Sequence, residues 1–441
     1  MKRLFTASVA VLIAFALTAG SMVAAWQGAA AIKKPTENHL EATREILDSV
    51  SRLRELAVKQ PVKSGAKSRE QIKESVIRDL DESNTPEEIE GSAKTLKKLG
   101  LIPKDFQLRD YLVALLAEQV AGYYDPKTQY FYLASWIPLG EQKTVIAHEL
   151  CHALQDQHFD LRRFEKWPQG DSDAETAAHA LAEGEATIVM YQYEFGEKGI
   201  PFDVTKLPPL TDLLLTEGSD NDDKKFPVLG NAPNVLKEGL QFPYFYGAGF
   251  VQAMLKRGSW QKLNDAYRSL PASTEQIMHP DKFVLNEKPV KIALADLTAT
   301  LGANWKQVDT DVNGEFGYRL ILIEYLNKRT ASTAAQGWGG DKYATYENKQ
   351  TGETVIAGYT AWDSVGDAQE FFQAYLERTE RRYNAKPVAG DAAQLRIFET
   401  REGLVSIELR DQDVIIIEGA KNRDQLKVLS QQLLKSKKTM G

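Results

Sequence analysis

"TVIAHELCHALQDQHFDL", residues 144–161, sets two histidines four positions apart with a glutamate directly after the first. On a helix, residues four apart project from one face about a turn apart, so His148 and His152 can aim imidazole nitrogens at one point. Zinc accepts such nitrogens at about 2.0–2.1 Å. Glu149 reaches the fourth, water-occupied position without binding the ion. Metal and carboxylate then activate one water, which is the arrangement of a zinc hydrolase with Glu149 as general base. The apolar "TVIA" suits a helix buried behind a cleft, and "QDQH" suits its solvated end. The chain has only six histidines, so H-E-x-x-H arises by chance on the order of one per cent of the time.

Two histidines and a water leave one protein ligand to find for a catalytic zinc. The next long helical pattern, "SDAETAAHALAEGEATIVMYQYEF" from Ser172 to Phe195, offers Glu183 and Glu185 in a mostly apolar setting, where a buried carboxylate needs a partner. Ser172 with Glu175 reads as its capping box. Gly184 permits close approach of another backbone.

The pair "HELCH" and "EGEA", followed by "YFYGAGFVQAML", resembles the gluzincin superfamily, specifically the peptidase-MA-like zinc metallopeptidases whose second helix reads E-G-x-A. The likeness covers about residues 110–283. It implies a mainly helical zincin-like catalytic domain holding one Zn2+, with Glu183 as third ligand and the strand "QYFYLA" edging the cleft to align substrate by main-chain pairing. Thr187 stands where thermolysin-like enzymes place an aspartate. The helical faces agree on the ligand: Glu183 shares its face with His179 and Thr187, whereas Glu185 shares a more apolar strip with Ala178, Leu181 and Val189. Related enzymes supply an oxyanion donor downstream, where Tyr244, Tyr246 and His279 lie. Tyr246, which opens a helical run, is preferred, and His279 is the second candidate. His179, one turn before Glu183, is a candidate to orient it.

Around this centre the chain divides into four stretches. Residues 1–31 read as a signal peptide: Lys2 and Arg3, an apolar run from Leu4, then small residues. Export to the periplasm or outside is therefore expected, with no stable membrane span after cleavage. Removing Lys2 and Arg3 takes the formal charge from −7 to −9, which disfavours nucleic acid as a partner. Cys151 is the sole cysteine, so no intramolecular disulfide forms. Residues 32–107 read as an N-terminal helical region, with Thr85, Pro86 and Glu88 opening one helix as a capping box. Residues 108–290 hold the catalytic unit, with a hairpin turning at Asp125–Thr128. Residues 291–441 read as a smaller α+β domain of mostly antiparallel strands. The fold class is thus α+β. The expected function is an exported zinc metallopeptidase acting on a peptide or protein. The alternative is a secreted scaffold that keeps the fold without turnover.

Overall fold

The computed structural model describes residues 39–165, 170–217, 226–388 and 394–441. The signal-peptide reading falls outside them. Among the described residues, no helix is long and apolar enough to cross a membrane.

The fold is α+β, helical first and sheet-rich last. Four helices, His39–Arg54, Arg69–Ser83, Pro86–Leu99 and Leu108–Gln119, precede the metal-motif helix. The third starts where its sequence dictates: the Thr85 side chain accepts from the Glu88 amide, the Glu88 side chain returns to the Thr85 amide, and Gly100 ends the helix in the left-handed region.

A three-stranded sheet follows, in the order β1 (Lys63–Lys67), β3 (Tyr130–Ala134), β2 (Gly122–Asp125). The β2–β3 hairpin turns as expected, Asp125 accepting from the Lys127 amide at 2.9 Å. However, "QYFYLA" is not an edge. β3 lies in the middle, paired antiparallel with β2 and parallel with β1. The β1 segment "KSGAK" is polar and lacks apolar alternation, so nothing in its sequence announces a strand. β1 and β2 take the two edges, and of the edges it is β2 that lies against the histidine helix, Leu139–Phe159.

That helix packs against the glutamate helix, Ser172–Glu197, which in turn crosses the long helical run Asn234–Arg268. The crossing is set by glycines. A Cβ on Gly184 would lie 2.0 Å from the Gly247 carbonyl carbon, and one on Gly247 would lie 2.1 Å from the Ala180 oxygen. Only backbone fits between the two helices there. The long run breaks at Gly258 and Ser259, whose φ values of 151° and 66° are not helical.

The glutamate helix starts differently from its sequence reading. Asp171, not Ser172, is the cap, accepting from the Ala174 amide. The Ser172 amide goes instead to Asp311, 2.9 Å away on the C-terminal sheet. Lys291 adds a 2.7 Å ion pair to Asp171. The contact from a residue as distant in sequence as Asp311 has no local signature.

The C-terminal sheet is antiparallel throughout, in the order β5 (Trp305–Asp311), β6 (Trp338–Asn348), β7 (Thr354–Trp362), β10 (Asp413–Ala420), β9 (Gly403–Arg410), β8 (Leu395–Thr400). β4 (Lys291–Ala293) and β11 (Lys437–Thr439) form a separate pair. Alternation in β10 sorts its side chains between two cores: Val414 and Ile416 join the large core, Ile415 and Ile417 a smaller one with Leu426, Leu429 and Leu433 of the last helix. The large core runs unbroken from Ile46 through the histidine and glutamate helices to Phe371 and Ile416. The change near residue 290 therefore separates two architectures that share one core.

Candidate metal centre

The histidine helix buries almost its whole middle. His148 is 1%, His152 2% and Glu149 0% exposed. Their imidazoles stand 4.8 Å apart between ring centroids, inclined at 75°. Glu183 comes to them from the neighbouring helix, its Oε2 3.1 Å from His148 Nε2 and 3.4 Å from His152 Nε2. One ligand atom from each of the three lies within 4.8 Å of the others. The sequence-derived triad of His148, His152 and Glu183 is thus one cluster, with both ring Nε2 atoms and a carboxylate oxygen facing inward.

Glu185 points elsewhere. It forms a fully buried ion pair with Arg54 of the first helix. Arg54 also donates to Asn264 at 2.6 Å and lies 4.5 Å from the Trp260 ring centroid. Cys151 is a buried core residue on this side, its sulfur 3.8 Å from Glu185 Oε1. Glu183 and Glu185 therefore serve opposite faces of their helix.

Glu149 lies between the triad and β2. Its Oε2 accepts from the Tyr124 amide at 2.6 Å, while Oε1, despite full burial, has no hydrogen-bond partner among the described residues. Burial raises the Glu149 carboxyl well above its ordinary range, opposed by the Tyr124 amide and by His152. Burial also opposes ionisation of Glu183, yet His152 and His148 hold its carboxyl well below the ordinary range. The two histidines diverge around that shared carboxylate. Burial pushes His148 down to about 4. Burial opposes charge on His152 too, but Glu183 raises it to about 9. Glu183 thus stays ionised, as a metal ligand must, and a cation bound there would take the place of the proton that Glu183 favours on His152.

Of the downstream candidates, neither preferred residue reaches the triad. Tyr246 packs away from it against Phe242 at 4.9 Å and Phe316 at 6.1 Å between centroids. His279 binds Glu315 of the helix Gly314–Ile323, Nε2 to Oε1 2.9 Å. Tyr244 is the tyrosine beside the site, its ring stacked on His148 with centroids 6.1 Å apart. Two residues on a helix differ by about 200° in direction, so the choice between Tyr244 and Tyr246 is a choice of face. His179, one turn before Glu183, makes an edge contact with Phe164, and its buried Nε2 has no hydrogen-bond partner among the described residues.

Two residues not singled out from sequence complete the surroundings. Tyr124 binds the histidine helix twice, through its amide to Glu149 and through its hydroxyl to Asp156 at 3.0 Å. Gln155 follows His152 by three positions and is wholly buried, its Oε1 2.8 Å from His152 Nδ1. A glutamine one helical turn after a ligand on the ligand face is the signal that marks it.

The donor set suits zinc: two imidazoles and one carboxylate, with a fourth position left for water. Buried polar atoms normally have partners, and His152 Nε2 and Glu149 Oε1, both at this centre, have no hydrogen-bond partner among the described residues.

A family model described as a domain of unknown function (DUF8575) matches residues 300–430. No curated protein and no solved structure matches the chain. The matched stretch is the C-terminal sheet with its helices, and it contains none of the triad.

Proposed function

We propose that the chain is an exported zinc metallopeptidase of gluzincin type, with His148, His152 and Glu183 as ligands and Glu149 as general base. The observation that carries the reading is the convergence of both Nε2 atoms on the Glu183 carboxylate with Glu149 beside them. Zinc held there supplies a Lewis acid for a scissile carbonyl and lowers the pKa of a bound water.

The chain's own residues divide the remaining work. The Tyr124 amide fixes one oxygen of Glu149, so the other is the one left to take a proton from water and pass it to the leaving amine. Burial raises the proton affinity of that carboxyl, which suits a group that must hold the proton between the two transfers. Tyr244, next to His148, replaces Tyr246 as the candidate donor to the oxyanion. β2 replaces β3 as the edge along which an extended peptide would pair.

A fluorogenic peptide library, assayed with and without chelator, tests the reading. Chelator-sensitive cleavage restored by zinc is expected. Absent or chelator-insensitive turnover in zinc-loaded protein would refute it in favour of a scaffold. Export rests on the basic, apolar and small-residue order of residues 1–31. Mass spectrometry of exported material should find a mature N-terminus between about residues 25 and 32, and an intact Met1 in a cytoplasmic fraction would reject it.

A further inference from the structure

We infer that Gln155 is a positioning residue of the metal centre, holding His152 in its ligating form and locking the histidine helix to the residue before Glu183. The inference rests on the proposed zinc site and adds a residue to it.

The Gln155 side chain bridges two groups whose chemistry leaves it one orientation. Its Nε2 lies 3.0 Å from the Ala182 carbonyl oxygen on the glutamate helix. A carbonyl only accepts, so the amide must turn its NH2 there. Oε1 then faces His152 Nδ1 at 2.8 Å. An acceptor at that position requires a proton on Nδ1. In a neutral ring the lone pair is then on Nε2, the atom that faces Glu183 at 3.4 Å. The same amide ties the helix of two ligands to the residue adjoining the third, so one side chain sets both the ring and the spacing between the helices.

The choice of an amide over a carboxylate also has a consequence. A carboxylate partner makes a ligating imidazole more basic and the ion a weaker Lewis acid, whereas a neutral amide orients the ring without adding charge. Two neutral imidazoles and one carboxylate leave a bound Zn2+ with a net positive centre.

Zinc affinity of the full mature protein, measured by chelator competition, tests this together with the visible absorption of the cobalt-substituted form. Gln155→Met keeps the length and apolar stem but removes both hydrogen bonds. It should weaken zinc binding by about 10- to 100-fold and shift the cobalt bands. Gln155→Glu keeps an acceptor for Nδ1–H but loses the donor to the Ala182 carbonyl, so it should recover the cobalt bands and part of the affinity lost in Gln155→Met, which general destabilisation of the core would not. Parental affinity and cobalt spectrum in a folded Gln155→Met protein, or no recovery in Gln155→Glu, would overturn the inference. Failure of the wild-type protein itself to bind zinc would instead overturn the metallopeptidase reading, and this inference with it.

Discussion

Alanine in place of Gly184 should damage both stability and metal binding, and alanine in place of Gly196 on the same helix should stabilise the protein. At Gly184 the new Cβ would lie 2.0 Å from the Gly247 carbon, 2.3 Å from its oxygen and 2.6 Å from the Ala248 nitrogen. All three are backbone atoms of the crossing helix and cannot rotate away. Ordinary contact needs 3.4–4 Å, so the helices must part by roughly 1.5 Å, an overpacking change of the kind that costs about 1–3 kcal/mol or somewhat more. Glu183 adjoins this position, and its contacts of 3.1 and 3.4 Å to the histidines have no such slack. Zinc affinity should therefore fall along with the denaturation midpoint. Gly196 is exposed, and a Cβ there meets nothing within 4 Å. There the helix-propensity gain should stabilise by about 0.5 kcal/mol, less than the full glycine-to-alanine difference because the position is close to the helix end. Urea denaturation of the two variants beside the wild type measures both. A Gly184→Ala protein as stable as the wild type would refute the close crossing on which the geometry of the centre depends.

Three further outcomes follow from particular contacts. Glu149→Gln keeps the volume and all three ligands, so zinc should stay bound while peptide turnover falls by about 10²- to 10⁴-fold; a near-parental rate would remove Glu149 as the base. Glu185→Gln strands the fully buried Arg54 guanidinium without its counter-charge, which should cost about 3–5 kcal/mol in denaturation with zinc stoichiometry unchanged; loss of the metal instead would exchange the roles of Glu183 and Glu185. Burial raises the Asp341 carboxyl to about 6, opposed by hydrogen bonds from the Asn313 and Gly314 amides. Because the folded-state value lies above the unfolded one, its contribution to stability is full below about pH 4 and is lost as pH rises through about 6. Asp341→Asn, which has no charge to bury, should gain on the wild type across that window, and parallel stability curves would contradict the assignment.

The candidate metal centre, the cluster of His148, His152 and Glu183, was legible because its information is local. H-E-x-x-H specifies a spacing within one helix, and the direction of Glu183 follows from helical geometry within the next. The strands of the C-terminal sheet were equally legible where they are apolar, as in "VIIIEGA", since burial on both faces removes polar positions. β1, β5 and β6 were not. "KSGAK" and "WKQVDTD" carry polar side chains because one sits on a partly exposed sheet edge and the other spends Asp309 and Asp311 on distant partners, Thr95 and Ser172. The start of the glutamate helix was misplaced by one residue because Asp171 and Ser172 are adjacent capping residues, and the distant Asp311, which takes the Ser172 amide, leaves the cap to Asp171. Tyr246 and His279 were chosen by position along the chain, which does not report the face a side chain occupies. Each has a structural partner, Phe316 and Glu315, that only the tertiary fold brings close.

The most direct test of the central claim is the zinc content of the purified protein after saturation with zinc and removal of excess, read by native mass spectrometry. One zinc per chain is predicted for the wild type, with near-complete loss in His152→Ala and a substantial loss in Glu183→Gln. A folded wild-type protein that retains no zinc, or a His152→Ala variant that keeps its full complement, would contradict the metal centre.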